Sequence, residues 1–353
     1  MKAKQIIGIL LIVLMVVSIG YVSFFSGGPS STTPTPSQPS RPAQPARAEV
    51  AAPVFDEDQA YEFIKKQVSF GPRVPNTKAH KDCANWYVET LKGYDAQVTV
   101  QEATLKAFDG TPLQMKNIIA SYQPEKKERI LLCAHWDTRP FADKDPTQAL
   151  WNKPIEGAND GGSGVGVLLE VARQLQMKPT NVGIDIIFFD AEDYGSPEFD
   201  KGKEYINQGY QTSWCLGSQY FAKNLHVHNY NPRFGILLDM VGASDAMFNK
   251  DDYSVGVAND VVNLVWNTAG KLGYGSYFPH NEINGVIDDH VMLGNAGIRC
   301  IDIIDTRPHI AAMGLGSYQF GSYHHTHKDN MDIIDRNTLK AVGQTVMQVI
   351  YNQ

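Results

Sequence analysis

Gly157-Ala158-Asn159-Asp160-Gly161-Gly162-Ser163-Gly164 is the stretch on which the reading of this chain turns. Its glycines make a tight turn. The segment 163–177 that follows, with Val165, Leu168, Leu169, Val171, Ala172 and Leu175 at helical spacing, reads as a helix opening from it. Upstream lies Ala134-His135-Trp136-Asp137-Thr138, and downstream come Asp190-Ala191-Glu192-Asp193, Leu238-Asp239-Met240 and His324-His325-Thr326-His327. Most of these clusters put a carboxylate or imidazole just past an apolar run of strand length, or at the mouth of a helix. Such a series describes a metal site assembled along one edge of a sheet, and so an enzyme.

The apolar runs 116–122, 129–133, 182–189, 234–238 and 299–304 are of strand length. Several are unbroken rather than alternating, as in strands covered on both faces. Helix-like segments at 56–69, 77–91, 163–177, 260–272 and 337–351 surround and separate them. Strands alternating with helices predict a three-layer α/β/α sandwich with a mixed, mostly parallel central sheet. Ligands of such sheets bind beyond the carboxyl ends of the strands. His135 follows the second run, Asp190, Glu192 and Asp193 the third, and Asp239 ends the fourth. Three separate strand ends therefore deliver carboxylates and an imidazole to one rim, which a solvated run of charge would not do.

At 353 residues, 43% hydrophobic and 20% charged, the chain can bury a large core. A net charge of −7 with no Lys/Arg run in the body excludes nucleic acid as a partner. Lys2 and Lys4 precede an uncharged apolar run at 6–25, about the ~20 residues that span a bilayer. Segment 1–25 reads as an uncleaved signal-anchor, with a cleaved signal peptide as the alternative. The lysines stay cytoplasmic, which puts the rest on the periplasmic side of the inner membrane, or exports it after cleavage. Residues 26–53, rich in Pro, Ser and Thr, read as a disordered tether. The catalytic domain is expected at 54–353. Of Cys83, Cys133, Cys215 and Cys300, none has zinc-finger spacing and one pair is open to a disulfide; Cys133 and Cys300 read as small buried residues.

Imidazole nitrogen and carboxylate oxygen are the ligands zinc takes, with one position left open in a catalytic site. His135, Asp160, Asp193, Asp239 and His325 supply them, and Glu192, beside a ligand, is placed as the general acid/base. Taken singly, each has a plain alternative: Asp160 as a helix N-cap, Asp239 as a strand-end residue, a histidine as a satisfied structural group. Five together are hard to explain that way. Trp214 is a candidate aromatic wall, with ordinary packing as its alternative, and Trp136 a candidate substrate contact. The polar stretch 194–213 is expected to form a lid or a surface insertion. Asp245 and the pair Asp251-Asp252 read as solvated loop acids, with cation binding as the alternative. Residues 308–321 read as a loop delivering His325, with His309, His324 and His327 as supporting or surface residues.

These residues resemble the M28 zinc aminopeptidase clan, over a span from about 56 to 351. Within it the chain is similar to the glutaminyl cyclases of bacterial type, on Trp136-Asp137-Thr138-Arg139-Pro140-Phe141-Ala142-Asp143, Leu238-Asp239-Met240-Val241-Gly242-Ala243 and Val286-Ile287-Asp288-Asp289-His290. The resemblance implies an ammonia-releasing acyltransferase. It would form pyroglutamate from the N-terminal glutamine of peptides and proteins, with one Zn2+ per chain. It implies Asp160, Asp193 and His325 as zinc ligands, Glu192 as acid/base, and Asp239 and Asp288 as supporting carboxylates. The chain departs from animal members at His324, where they have Trp, and at Asp302, where they have His. The alternative is a two-metal aminopeptidase, in which His135 and Asp239 complete a second zinc site bridged by Asp160. A non-catalytic ectodomain of the same fold ranks last, because no ligand position is lost.

Overall fold

The five continuous apolar runs all pair into one sheet. The computed structural model describes residues 50–203, 212–308 and 317–353. The segment 1–25, most of the tether at 26–53 and His309 lie outside the described residues. Among the described residues no helix is long and apolar enough to cross a membrane.

In chain order the helices are α1 (Glu57–Val68), α2 (Lys78–Gly93), α3 (Ser163–Met177), α4 (Leu216–Lys223), α5 (Asp252–Lys271), α6 (Asp289–Asn295) and α7 (Arg336–Tyr351). The strands are β1 (Gln97–Lys106), β2 (Pro112–Tyr122), β3 (Arg129–His135), β4 (Gly183–Phe189), β5 (Gly235–Asp239), β6 (Lys250–Asp251), β7 (Glu282–Ile283), β8 (Cys300–Ile304), β9 (Arg307–Pro308) and β10 (Tyr318–Gln319). The main sheet has the order β1-β2-β4-β3-β5-β8. β1/β2 and β2/β4 pair antiparallel, while β4/β3, β3/β5 and β5/β8 pair parallel. The functional rim belongs to the parallel part, where the carboxyl ends of β3, β4, β5 and β8 lie side by side.

Alternation along the strands separates two apolar layers. Ile130, Leu132, Ile184, Ile186 and Phe188 face a large core shared with α1, α2, α3, α5 and α7. Leu131, Cys133, Ile187, Phe189 and Leu237 face a smaller one with Phe221 of α4 and Leu293 of α6. This is the expected α/β/α sandwich.

Several elements differ from the sequence reading. β1 was absent from it; this edge strand is half-exposed along its length and carries no apolar run. Helix α5 starts at Asp252 rather than at 260, kinking at Ala258 (φ −151°). Asp251 is not a solvated loop acid: it is buried and caps α5, accepting from the N–H groups of Tyr253 and Ser254 at 3.1 Å each. Asp160 is not an N-cap; α3 starts at Ser163 behind Gly162. All four cysteines are buried free thiols, so no disulfide forms. β9 and β10 make the base of a hairpin, where a plain loop was expected.

Candidate active site

Four backbone devices bring the rim residues together. Gly161 adopts φ +78°, and a Cβ there would stand 2.2 Å from the Asp137 carbonyl oxygen and 3.1 Å from the His135 ring. Only glycine lets the turn press Asp160 so close to β3. Ala191 adopts φ 55° and swings Glu192 and Asp193 off the end of β4. Their N–H groups donate to the two oxygens of Asp137 at 3.0 and 3.2 Å. Asp329 does the same for the glycine turn, accepting from the N–H groups of Asn159 (2.7 Å) and Asp160 (3.0 Å). His325 itself sits at φ 56°. Left-handed backbone at non-glycine residues is costly and concentrates at functional sites.

The side chains then meet. His325 Nε2 lies 3.4 Å from Asp193 Oδ1 and 3.9 Å from Asp160 Oδ2. His135 Nε2 lies 3.1 Å from both Asp160 Oδ1 and Asp239 Oδ1. Glu192 reaches toward the same group, with Oε2 4.0 Å from His135 Nδ1. Asp160, Glu192, Asp193, Asp239 and His325 border a cavity of about 420 Å³, which Asp288, Trp214 and His324 also line; His135 stands behind them. Among the described residues, seven of its lining side chains are carboxylates and Arg139 and Lys144 are its arginine and lysine. So concentrated a negative charge, mostly buried, calls for bound cations.

The donor set fits one. Oxygen and nitrogen ligands about 2.0–2.1 Å from a tetrahedral zinc ion stand roughly 3.3 Å apart. The His325–Asp193 and His325–Asp160 separations of 3.4 and 3.9 Å stand at and somewhat beyond that spacing, and both are longer than ordinary hydrogen bonds. Asp193 Oδ2 is buried with no hydrogen-bond partner. Asp160, His135 and Asp239 also group their ligand atoms within 4.8 Å of one another.

Electrostatics sort the rim. Burial pushes the His135 imidazole down, but hydrogen bonds to Asp137, Asp160 and Asp239 outweigh it and hold the ring well above its ordinary value. Burial acts against Asp160 as well, and His135 overcomes it, so that carboxyl is held low. Burial wins at Glu192, which is held well above the carboxylate range despite His135, and at Asp193 and Asp288. It pushes Asp239 up to about 7.

Around them stands a supporting ring that the sequence did not single out. Arg139 is buried and grips Asp143 through two bonds of 2.7 Å, while Nη1 donates to the Asp193 carbonyl oxygen at 3.1 Å. Asp143 in turn lies 3.4 Å from His325 Nδ1, the kind of carboxylate contact that orients a ligand imidazole. Both residues lie in the Trp136–Asp143 stretch that carries the family resemblance, but nothing in the stretch assigns them these contacts. The Cys215 thiol donates to Glu192 Oε1 at 3.1 Å.

Trp214 lines the cavity, its ring parallel to His325 (3°, 6.0 Å between centroids) and 4.5 Å from the Arg139 guanidinium carbon. Trp136 does not. It is wholly buried, stacked on His80 at 4.3 Å, with its indole N–H donating to the Lys116 carbonyl oxygen. The pleat of β3 turns it into the large core, so it is a packing residue and no substrate contact. His324 is also more than a surface group: it is buried on the cavity wall with its ring 3.7 Å from that of His325. His327 is paired with Asp145 at 3.1 Å. Of the stretch 194–213, Ser196 and Glu198 line the cavity, and residues 204–211 lie outside the described residues.

Comparison with known proteins agrees with this geometry. The sequence pattern of peptidase family M28 matches residues 117–350. A crystal structure of a Zn-dependent exopeptidase from Parabacteroides distasonis is 51% identical with a TM-score of 0.80, over 86% of this chain and 100% of that one. A glutaminyl cyclase from Bacteroides thetaiotaomicron, bound to N-acetylhistamine, is likewise 51% identical with a TM-score of 0.80, over 86% of this chain and 99% of that one. Aminopeptidase YwaD of Bacillus subtilis is 27% identical over 80% of this chain and 54% of its own length, so the chain spans about half of that relative. Donors gathered at the carboxyl ends of a largely parallel sheet, with a match that takes in well over half the length, make one conclusion: the chain belongs to peptidase family M28.

Proposed function

We infer that the chain is a glutaminyl-peptide cyclotransferase, which converts the N-terminal glutamine of peptides and proteins to pyroglutamate and releases ammonia. The observation that carries this reading is the likeness to a glutaminyl cyclase along almost the whole of both chains.

Asp160, Asp193 and His325 would hold one zinc ion. Zinc held there would supply Lewis acidity toward the oxygen of a side-chain carboxamide. The other work falls to the protein. The α-amine of the glutamine attacks the carboxamide carbon, a new C–N bond forms, and the bond to the amide nitrogen breaks. Nucleophile and electrophile belong to the same residue, so little entropy remains to be lost once the cavity holds them in register. Glu192 takes a proton from the amine and returns it to the departing nitrogen. Asp239 and Asp288, raised by burial, stay protonated more readily than exposed carboxyls and can donate hydrogen bonds beside Glu192. Trp214 walls the cavity and Cys215 steadies Glu192. The carboxylate-rich lining favours the cationic N-terminus of an incoming peptide.

A second reading, an aminopeptidase with two metals, draws on the grouping of His135, Asp160 and Asp239. Against it, His135 Nε2 is engaged by Asp160 and Asp239 at hydrogen-bond distance, which supports a role in holding Asp160 rather than a ligand role. Zinc stoichiometry measured alongside ammonia release from a glutaminyl dipeptide separates the two. One zinc with ammonia released is the expected result. Two zincs with hydrolysis of aminoacyl anilides would replace the cyclase by the peptidase.

The N-terminal pattern of two lysines and the apolar run at 6–25 supports an inner-membrane anchor with residues 54–353 on the periplasmic side. Recovery of full-length protein in the membrane fraction, degraded by protease added to spheroplasts, is expected. Recovery in the cytoplasm would refute it.

A further inference from the structure

The acidic cavity does not end at the metal donors. Along a wall formed by Lys144, Phe320 and His324 it abuts a second cavity of about 730 Å³. The two differ sharply in charge. Seven carboxylates line the first and none lines the second, where Lys144 is the one lysine or arginine among the described residues. The rest of the second lining is hydroxyl, amide and aromatic, including Asn284, Gln319 and Ser322. That composition suits an extended peptide, whose backbone carries a donor and an acceptor at each residue.

Lys144 is held at the junction. Its backbone N–H donates to the His325 carbonyl oxygen at 3.2 Å, and its ammonium stands 2.9 Å from His324 Nδ1, as a donor to the ring. It is exposed, and it forms no ion pair with a described carboxylate within 4.0 Å. Arg139, the arginine of the acidic cavity, is spent on Asp143 and Asp193. Lys144 is the lysine or arginine that the described lining offers to whatever enters the second cavity, with the nearest carboxylates, Glu198 and Asp143, on the side of the first.

We propose that this second cavity is a binding subsite for the two or three residues that follow the N-terminal glutamine, and that Lys144 gives it a preference for an acidic side chain there. The inference rests on the cyclase reading above. A peptide whose first residue occupies the acidic cavity must continue somewhere, and each further residue advances it by at most about 3.3–3.6 Å. The adjoining cavity accepts that continuation. The charge contrast also fixes the sign of the effect. Without such a subsite, the carboxylate-lined entrance repels acidic peptides and they react more slowly than neutral ones. With it, they react faster, by about two- to fivefold, the worth of an exposed ion pair.

The test compares ammonia release from Gln-Ala-Glu-Ala, Gln-Ala-Gln-Ala and Gln-Ala-Lys-Ala, each as kcat/KM, using the zinc-loaded enzyme. For the unaltered protein the acidic peptide is expected to exceed the neutral one by that factor. Lys144→Met should bring the ratio to one or below, and Lys144→Glu should turn it in favour of the lysine peptide. Ratios within one variant do not depend on how much of it folds. Added salt should shrink the preference of the unaltered protein, which needs no variant. A ratio at or below one in the unaltered protein at low salt, or a preference that survives Lys144→Met, overturns the subsite. Brisk ammonia release in either case leaves the cyclase reading standing. No ammonia from any glutaminyl peptide overturns that reading and the subsite with it.

Discussion

Buried acids of the sheet and of its rim are treated in opposite ways. Asp185, in the middle of β4, is fully satisfied: it accepts from Arg129 Nε and Nη2 at 2.7 Å each, from Ser121 Oγ at 2.6 Å and from the Tyr230 hydroxyl at 3.0 Å. By contrast, Asp193 Oδ2 just past β4, Asp288 Oδ2 at the start of α6 and both oxygens of Asp302 in the middle of β8 are buried with no hydrogen-bond partner among the described residues. A folded chain rarely leaves buried oxygens wanting. Where it satisfies them the acid serves the fold, and where it leaves them open burial raises the carboxyl above its ordinary range, as at Asp193, Asp288 and Asp302. This contrast should be visible in experiments that separate stability from turnover.

The largest effect belongs to the rim. Glu192→Gln is expected to lower kcat by about 10²–10⁴-fold, the usual contribution of a positioned acid/base, with zinc content and Tm unchanged. Full activity in that variant would remove Glu192 from the chemistry. Removal of zinc by a chelator, or the variant His325→Ala, should abolish turnover, and only the chelated wild type should recover on adding zinc. Metal analysis beside the assay checks this. Arg129→Met strips Asp185 of its cation and leaves a buried charge unpaired, which typically costs about 3–5 kcal/mol. Denaturant melts should show that loss, while kcat per folded molecule stays at the wild-type value. Equal losses of stability in Arg129→Met and Glu192→Gln would erase the contrast.

Two smaller effects sharpen it. Trp214→Ala removes the aromatic wall beside His325 and Arg139, and KM should rise by about tenfold, with a lesser change in kcat, as for a lost ring contact worth roughly 1–1.5 kcal/mol. Asp302 is held well above the carboxylate range, first by burial and then by Asp288 and Asp251. The folded protein therefore keeps a proton that the unfolded chain releases above about pH 3.9. Its contribution to stability is present below that value and declines as pH rises toward the folded pKa. Asp302→Asn should flatten that decline in a series of thermal melts and raise stability at neutral pH by about 0.5–2 kcal/mol. A steeper pH dependence in the variant would reverse the assignment.

The same division explains what could be read beforehand. Strands β2, β3, β4, β5 and β8 are covered on both faces, so their composition alone marks them, and β4 is buried at every position. Helix α3 was legible because a glycine turn and a full apolar stripe coincide. Short helices α4 and α6, of 8 and 7 residues, were not. They have too few turns to show a period and are fixed by packing on the smaller core. Asp137 and Asp329 look like ordinary loop acids in sequence. Their work is to accept backbone N–H groups from residues more than fifty positions away, a relation with no local signature. Trp136 misled because a tryptophan beside a candidate ligand reads equally as wall or core, and only the pleat direction of β3 decides between them.

From the order of residues alone came the layered α/β architecture and the identity of Asp160, Glu192, Asp193, Asp239 and His325 as a set, because apolar periodicity and strand-end position are local properties. Tertiary structure decided the rest. It brought His325 to within 3.4 Å of Asp193, sent Trp136 inward and Trp214 into the cavity, and among the described residues gave one cavity seven carboxylates and its neighbour none. Those outcomes depend on which distant segments share a few ångströms of space, and burial and charge–charge coupling follow from that proximity alone.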